Sequence, residues 1–99
     1  MKDIIKENIQ CANDNIAVAK NLYKSALMQL AKDSVKISLT IIMVAVPGVK
    51  QLYGKLSYVA GMFTVHDEDT KRCYTFSHDQ IINIATNDND DIWVKVISN

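Results

Sequence analysis

Apolar residues recur at alternating steps of four and three through the first third of the chain, a spacing typical of an amphipathic helix. Residues 3–33 contain neither Gly nor Pro, so the pattern predicts one long helix over this segment. The positions that form this heptad seam are Ile5, Ile9, Ala12, Ile16, Ala19, Tyr23, Ala26 and Leu30.

The seam supports two interpretations. Its small edge (Ala12, Ala19, Ala26) would let a neighbouring backbone approach closely, whether that backbone belongs to the chain's own sheet or to a second copy. Val18, Leu22 and Leu27 widen the stripe beyond a strict two-stranded seam. Core packing is one interpretation, and a homo-oligomer interface formed by the seam residues is the other.

From residue 35 onward the apolar period changes to two, which is typical of strands. Strands are predicted at residues 35–46, 49–53, 55–60, 62–66, 72–76, 81–86 and 92–97, with bends at the glycines between them. The capping-box pattern from Ser77 to Gln80 predicts a single helical turn. The sequence therefore predicts an α+β fold, with a long N-terminal amphipathic helix followed by a five- to six-stranded antiparallel meander or small barrel. We expect one domain over residues 1–99, with the helix in 1–34 and the antiparallel β unit in 35–99.

This layout resembles that of the Sm-like small β-barrels, which carry an N-terminal helix. The resemblance covers residues 35–85, from the strand Lys36-Ile37-Ser38-Leu39-Thr40 through the bend Gly54-Lys55-Leu56 and the hairpin to Cys73-Tyr74-Thr75-Phe76, up to Ile81-Ile82-Asn83-Ile84. It implies a small barrel. The aspartate and asparagine of the family's RNA pocket and its late arginine-glycine pair are absent here, so the resemblance does not extend to that pocket.

The formal net charge is zero, but the charges are divided unevenly along the chain. Residues 1–55 hold eight lysines and four acids, whereas residues 56–99 hold three basic and seven acidic side chains. A general nucleic-acid binder usually carries a clear basic excess. Two loops concentrate the acids and would suit a basic protein partner. Their candidate residues are Asp67, Glu68, Asp69, Asp88, Asp90 and Asp91.

No arrangement of residues indicates catalysis or a metal site. His66 and His78 are the two histidines, and they flank a predicted strand rather than converge. The loop 87–91 lacks the Gly and Glu of a calcium loop, and Ser77-His78-Asp79 are consecutive, which does not form a triad. The two cysteines have no metal or redox spacing, and we expect free thiols. The sequence thus predicts a protein that is not an enzyme and has no cofactor or metal.

Two function classes follow from these observations. The first is a non-enzymatic, self-associating interaction protein, of the kind that phages and mobile elements use as accessory factors, including inhibitors of bacterial defence systems. The second is a small-barrel protein that binds nucleic acid or a nucleotide, which becomes credible if one sheet face presents Tyr and Lys side by side. We expect a cytoplasmic protein with no membrane segment, because the longest apolar run, Ile41–Val46, is far too short to cross a bilayer.

Overall fold

The structure is a computed structural model that describes residues 4–7, 9, 16–46 and 48–98. Helix α1 spans Ile16–Lys32, and residues 4–7 and 9 are also helical. Six strands follow: β1 Lys36–Met43, β2 Gly48–Val59, β3 Met62–Asp67, β4 Cys73–Phe76, β5 Ile81–Thr86 and β6 Ile92–Ser98. A 3₁₀ turn at His78–Gln80 precedes β5, so the helical turn predicted after Ser77 is present.

The predicted fold class is wrong in two respects. The first is the length of the helix: the structure gives the helix Ile16–Lys32 in place of the long N-terminal helix expected over residues 3–33. The heptad spacing identified the buried side of the segment, but spacing alone does not set where a helix begins.

The second error concerns the sheet, which is mixed rather than an antiparallel meander. Its strand order is β4-β3-β2-β1-β6-β5, and β1 pairs with β6 in parallel, with Leu39 opposite Val94. The remaining neighbours are antiparallel. The hairpin β5–β6 therefore adds to the open side of β1 instead of continuing from β4. Because β4 and β5 remain as edges, the sheet is not a closed barrel.

The sheet is nevertheless strongly curled. In a flat sheet, five inter-strand spacings of about 4.8 Å would separate the edges β4 and β5 by about 24 Å. The link from Phe76 to Ile81 can span at most about 18 Å when fully extended, and part of it is a 3₁₀ turn. The two edges must therefore approach each other. Phe76 and Ile81, which end one edge strand and begin the other, are both buried.

The concave face of the sheet encloses the core with α1 against it. Inward-facing residues alternate along the strands except in β5, where a bulge separates the buried Ile81 and Ile84, and α1 contacts β2, the 3₁₀ turn and β5. The buried helix positions are Ala19, Tyr23, Ala26, Leu27 and Leu30. Burial raises the pKa of Tyr23 above its ordinary value, and its hydroxyl oxygen accepts a hydrogen bond from the backbone amide of Ile84. The helix is thus fastened to β5 by a polar contact as well as by apolar packing.

Replacement of Ala19 by leucine should destabilise the protein by about 1–3 kcal/mol, because the added atoms have to enter a packed core. Ala19 is only 7% exposed. Asn21→Leu on the exposed side of α1 is the matched control and should change stability by less than about 0.5 kcal/mol. Urea unfolding followed by far-ultraviolet circular dichroism measures both. Equal stability of Ala19→Leu and wild type would show that this side of α1 is not tightly packed.

Candidate interaction surfaces

The residues of the predicted oligomer seam lie mostly inside the chain's own core. Ile5, Ile9, Ala19, Tyr23, Ala26 and Leu30 are each at most 7% exposed. Ala12 and the side chain of Ile16 lie outside the described residues. Within one copy of the chain, these six side chains pack under the sheet rather than form an outward surface. Self-association through this seam stays a prediction, but the six described seam residues are already buried in the core of the same chain.

Asp67 in the first acidic loop has a structural role. It is 9% exposed, and its carboxylate accepts hydrogen bonds from the backbone amides of Tyr53 (3.0 Å), Asp69 (3.0 Å) and Thr70 (2.8 Å) and from the Thr70 hydroxyl (3.0 Å). These bonds, led by the one from the Thr70 amide, lower the pKa of Asp67 to about 2. The charge of Asp67 is thus used to close the β3–β4 loop and tie it to β2.

The other two acids of this loop, Glu68 and Asp69, are exposed, and their carboxylates do not bind the loop backbone as that of Asp67 does. Glu68 forms an ion pair with Lys36 of β1, which raises the pKa of Lys36, and the Glu68 amide donates to the Tyr53 carbonyl at 3.1 Å. Asp69 is exposed. Of the three residues predicted here as a partner-binding cluster, Asp69 alone presents a carboxylate that forms no ion pair or hydrogen bond with the described residues.

The second acidic loop is organised around Asn87. Its side-chain oxygen accepts the amides of Asn89 (3.0 Å) and Asp91 (2.9 Å), and its side-chain amide donates to the Asp91 carboxylate at 3.0 Å. Asp90 forms an ion pair with Lys6 at 2.7 Å, which lowers the pKa of Asp90. Asp88 is exposed. In both acidic loops, therefore, some of the carboxylates already form ion pairs or hydrogen bonds within the chain.

The convex face of the sheet carries an aromatic row that the sequence did not single out. Ser38 of β1 lies directly opposite Tyr53 of β2 on one side and Trp93 of β6 on the other. Tyr53 is 50% exposed and Trp93 is 42% exposed. A cleft of about 310 Å³ runs along this row, and its polar lining also includes Thr40, Gln51, Asp67 and Asp69. The alternation of β1, β2 and β6 predicts the outward direction of each residue, but only the sheet order makes them neighbours.

Apolar residues are concentrated at one end of the same face, around the β1–β2 turn. Val44, Val46 and Val49 are 58%, 66% and 62% exposed. On the neighbouring strands, Ile42 lies opposite both Val49 and Ile97. We call this surface the valine end and define it by Ile42, Val44, Val46, Val49 and Ile97. A cluster of exposed apolar side chains often marks an interaction site, whereas single exposed apolar residues are common on any protein surface.

Histidine and cysteine side chains are dispersed in the part of the chain that the structure describes. His66 lies on the convex face with its Nε2 3.4 Å from the Ser57 hydroxyl, and His78 lies 3.5 Å from Asp79. No group of three or more potential metal ligands is found among the described residues. Cys73 is an exposed free thiol, as predicted, and Cys11 lies outside the description.

None of the helices in the described ranges is long and apolar enough to cross a membrane. Comparisons with protein-family models, curated proteins and solved structures gave no match. The resemblance to Sm-like barrels therefore stays a prediction that no comparison supports, and function has to be inferred from the surfaces of the chain itself.

Proposed function

We propose that this chain is a non-enzymatic interaction protein that associates with a second copy of itself through the valine end. The observation that supports the proposal is the exposure of three clustered valines at the β1–β2 turn, each 58% or more exposed. Burying such surface against another protein is favourable by about 25 cal/mol per Å² of apolar area. The valines provide this gain only when another surface covers them.

A second copy is the occupant that fits best. The five residues that define the valine end are all aliphatic, so they provide no charge pattern by which a basic or acidic partner would be selected. An apolar patch is self-complementary across a two-fold axis, because the same surface serves both copies. The acidic loops give weaker support for a basic partner, since Asp67, Glu68 and Asp90 are engaged within the chain.

Val49→Lys should abolish self-association, because two copies would place a charge inside an apolar contact. Val59→Lys is the matched control: Val59 is a valine on the same strand, 73% exposed, at the opposite end of β2. Multi-angle light scattering at tens of micromolar should give the mass of a dimer or larger oligomer for wild type and Val59→Lys, and a monomer for Val49→Lys.

Two results would contradict the proposal. The first is a monomeric mass of 11.1 kDa for the wild-type chain at these concentrations. The second is a wild-type oligomer that persists in Val49→Lys, which would place the contact elsewhere. Unfolding curves of the two lysine variants establish that each is folded, since both substitutions are at exposed sites and should change stability by less than about 0.5 kcal/mol.

The wider role that we propose is that of a phage or mobile-element accessory factor, such as an inhibitor of a bacterial defence system, acting in the cytoplasm. Small size, balanced charge and the lack of any catalytic motif in the sequence support this class. The exposed thiol of Cys73 is in keeping with a reducing compartment.

A further inference from the structure

We propose that the convex face of the sheet binds single-stranded nucleic acid, with bases stacked on Tyr53 and Trp93 and phosphates held by Lys55 and Lys95. This site is separate from the valine end and does not depend on self-association. Tyr53 and Trp93 are the two exposed aromatic side chains among the described residues, and both pair with the same residue, Ser38.

The spacing of the aromatic row suits bases that are spread along a single strand. Tyr53 and Trp93 are two inter-strand distances apart, or about 10 Å. Ser38 between them is small and half-buried, so the space between the two rings is open as part of the 310 Å³ cleft. Aromatic side chains exposed on a sheet bind bases without strong sequence preference, because every base has a π-face.

Lysines lie on both sides of the aromatic row. Lys55 follows Tyr53 by two residues on β2, and Lys95 follows Trp93 by two on β6, so each shares the convex face with its aromatic neighbour. Both are exposed, and neither forms an ion pair with a described carboxylate. A strand that crosses the aromatic row would therefore have a cation within reach on each side.

The pairing of Lys55 with Lys36 supports an anionic ligand. These two lysines lie directly opposite each other on β1 and β2, an arrangement that destabilises a sheet. Glu68 compensates the charge of Lys36 but leaves that of Lys55. A bound phosphate would relieve the remaining repulsion.

Polar groups in the cleft favour a base over a wholly apolar ligand. Thr40 and Gln51 line the cleft next to the aromatic row, and they can exchange hydrogen bonds with base edges. Asp67 and Asp69 line the β3 side of the cleft, and their negative charges oppose phosphate at that end, so we expect the phosphates to lie toward Lys55 and Lys95 instead. A double strand would not fit this mode, because its bases are stacked on each other and unavailable to the rings.

Trp93 is the only tryptophan of the chain, so its fluorescence reports directly on this site. Titration with a twelve-nucleotide oligothymidylate should quench that fluorescence, and raising the salt from about 50 to about 200 mM should weaken binding about sevenfold if two lysines contact phosphates. Tyr53→Leu should weaken binding about tenfold, whereas Tyr53→Phe, which keeps the ring, should bind as wild type does.

Lys95→Ala should reduce the salt effect over the same range to about threefold, since one phosphate contact remains. Lys32→Ala is its control, because it removes an equal charge from the exposed side of α1.

The proposal is overturned if the oligonucleotide leaves Trp93 fluorescence unchanged at millimolar concentration, or if a duplex of equal length binds equally well. Quenching by a neutral oligosaccharide instead of the oligonucleotide would equally overturn it. The Val49→Lys monomer should still bind, which separates this result from the test of self-association.

Discussion

Gly54→Ala is expected to unfold the protein or to destabilise it by about 3 kcal/mol or more. Gly54 lies in β2 opposite Asp67 of β3, where the two backbones come unusually close. A Cβ atom on Gly54 would lie 1.7 Å from the carbonyl oxygen of His66 and 2.7 Å from its carbonyl carbon. Because both atoms belong to the backbone, a side-chain rotation cannot relieve the clash, and β3 itself would have to move.

Gly48→Ala provides the matched control for this prediction. Gly48 begins the same strand, and the nearest atom to a Cβ at that position is 3.9 Å away, which is ordinary contact. Alanine there should be neutral or stabilise by up to about 1 kcal/mol, because it reduces the freedom of the unfolded chain. Thermal unfolding by circular dichroism measures the difference. A Gly54→Ala protein that melts near wild type would show that β2 and β3 are further apart than described.

Asp67→Asn should lower the melting temperature at pH 7 by roughly 5 °C or more. An asparagine retains one acceptor oxygen but replaces the other with an amino group, which would face the Tyr53 amide that now donates to Oδ2. The variant also loses the charge that strengthens the bonds from Asp69 and Thr70. Asp69→Asn is the control, since Asp69 is exposed and its carboxylate holds no loop amide among the described contacts.

The effect of Asp67→Asn should depend on pH in a direction that follows from its lowered pKa. A carboxylate whose pKa is about 2 in the folded protein, against 3.8 ordinarily, stabilises the fold above pH 3.8 and loses that contribution as the pH falls toward 2. The difference in melting temperature between wild type and variant should thus be constant near neutrality and shrink between about pH 4 and pH 2. A difference that stays unchanged across this range would contradict the role of the charge.

Gly54 and Asp67 act on the same part of the convex face. The Tyr53 amide donates to Asp67 and the Tyr53 carbonyl accepts from the Glu68 amide at 3.1 Å, so both polar backbone groups of Tyr53 are held by the β3–β4 loop. Gly54, the next residue, permits the close approach of β3 that makes these bonds possible. The loop that the sequence suggested as a partner-binding cluster therefore supports an aromatic residue of the proposed nucleic-acid surface.

The sequence by itself determined which segments are extended and which of their faces is apolar, because an apolar period of two is a local property of the chain. It wrongly divided β2 at Gly54, which the structure shows as one strand, Gly48–Val59. Ile37, Leu39 and Ile41 are buried as their alternation predicts, and the turn at Ala60-Gly61 has the positive φ values (52° and 82°) that a tight hairpin of this kind needs. The helical turn after Ser77 was also predicted from its capping pattern: Gln80 Oε1 accepts from the Ser77 amide at 3.0 Å.

Only the tertiary structure decided which strands are neighbours and what the polar residues do. The parallel pairing of β1 with β6 joins segments more than 50 residues apart, and no local pattern specifies it. That pairing places Trp93 beside Ser38 and Tyr53. The role of Asp67 likewise depends on the tertiary structure, because backbone amides from β2 and from its own loop donate to one carboxylate. The sequence does not show these contacts, and it therefore suggested that Asp67 is a surface charge available to a partner. Local periodicity records which side of a segment is apolar, whereas contacts between distant segments depend on the packing of the whole chain.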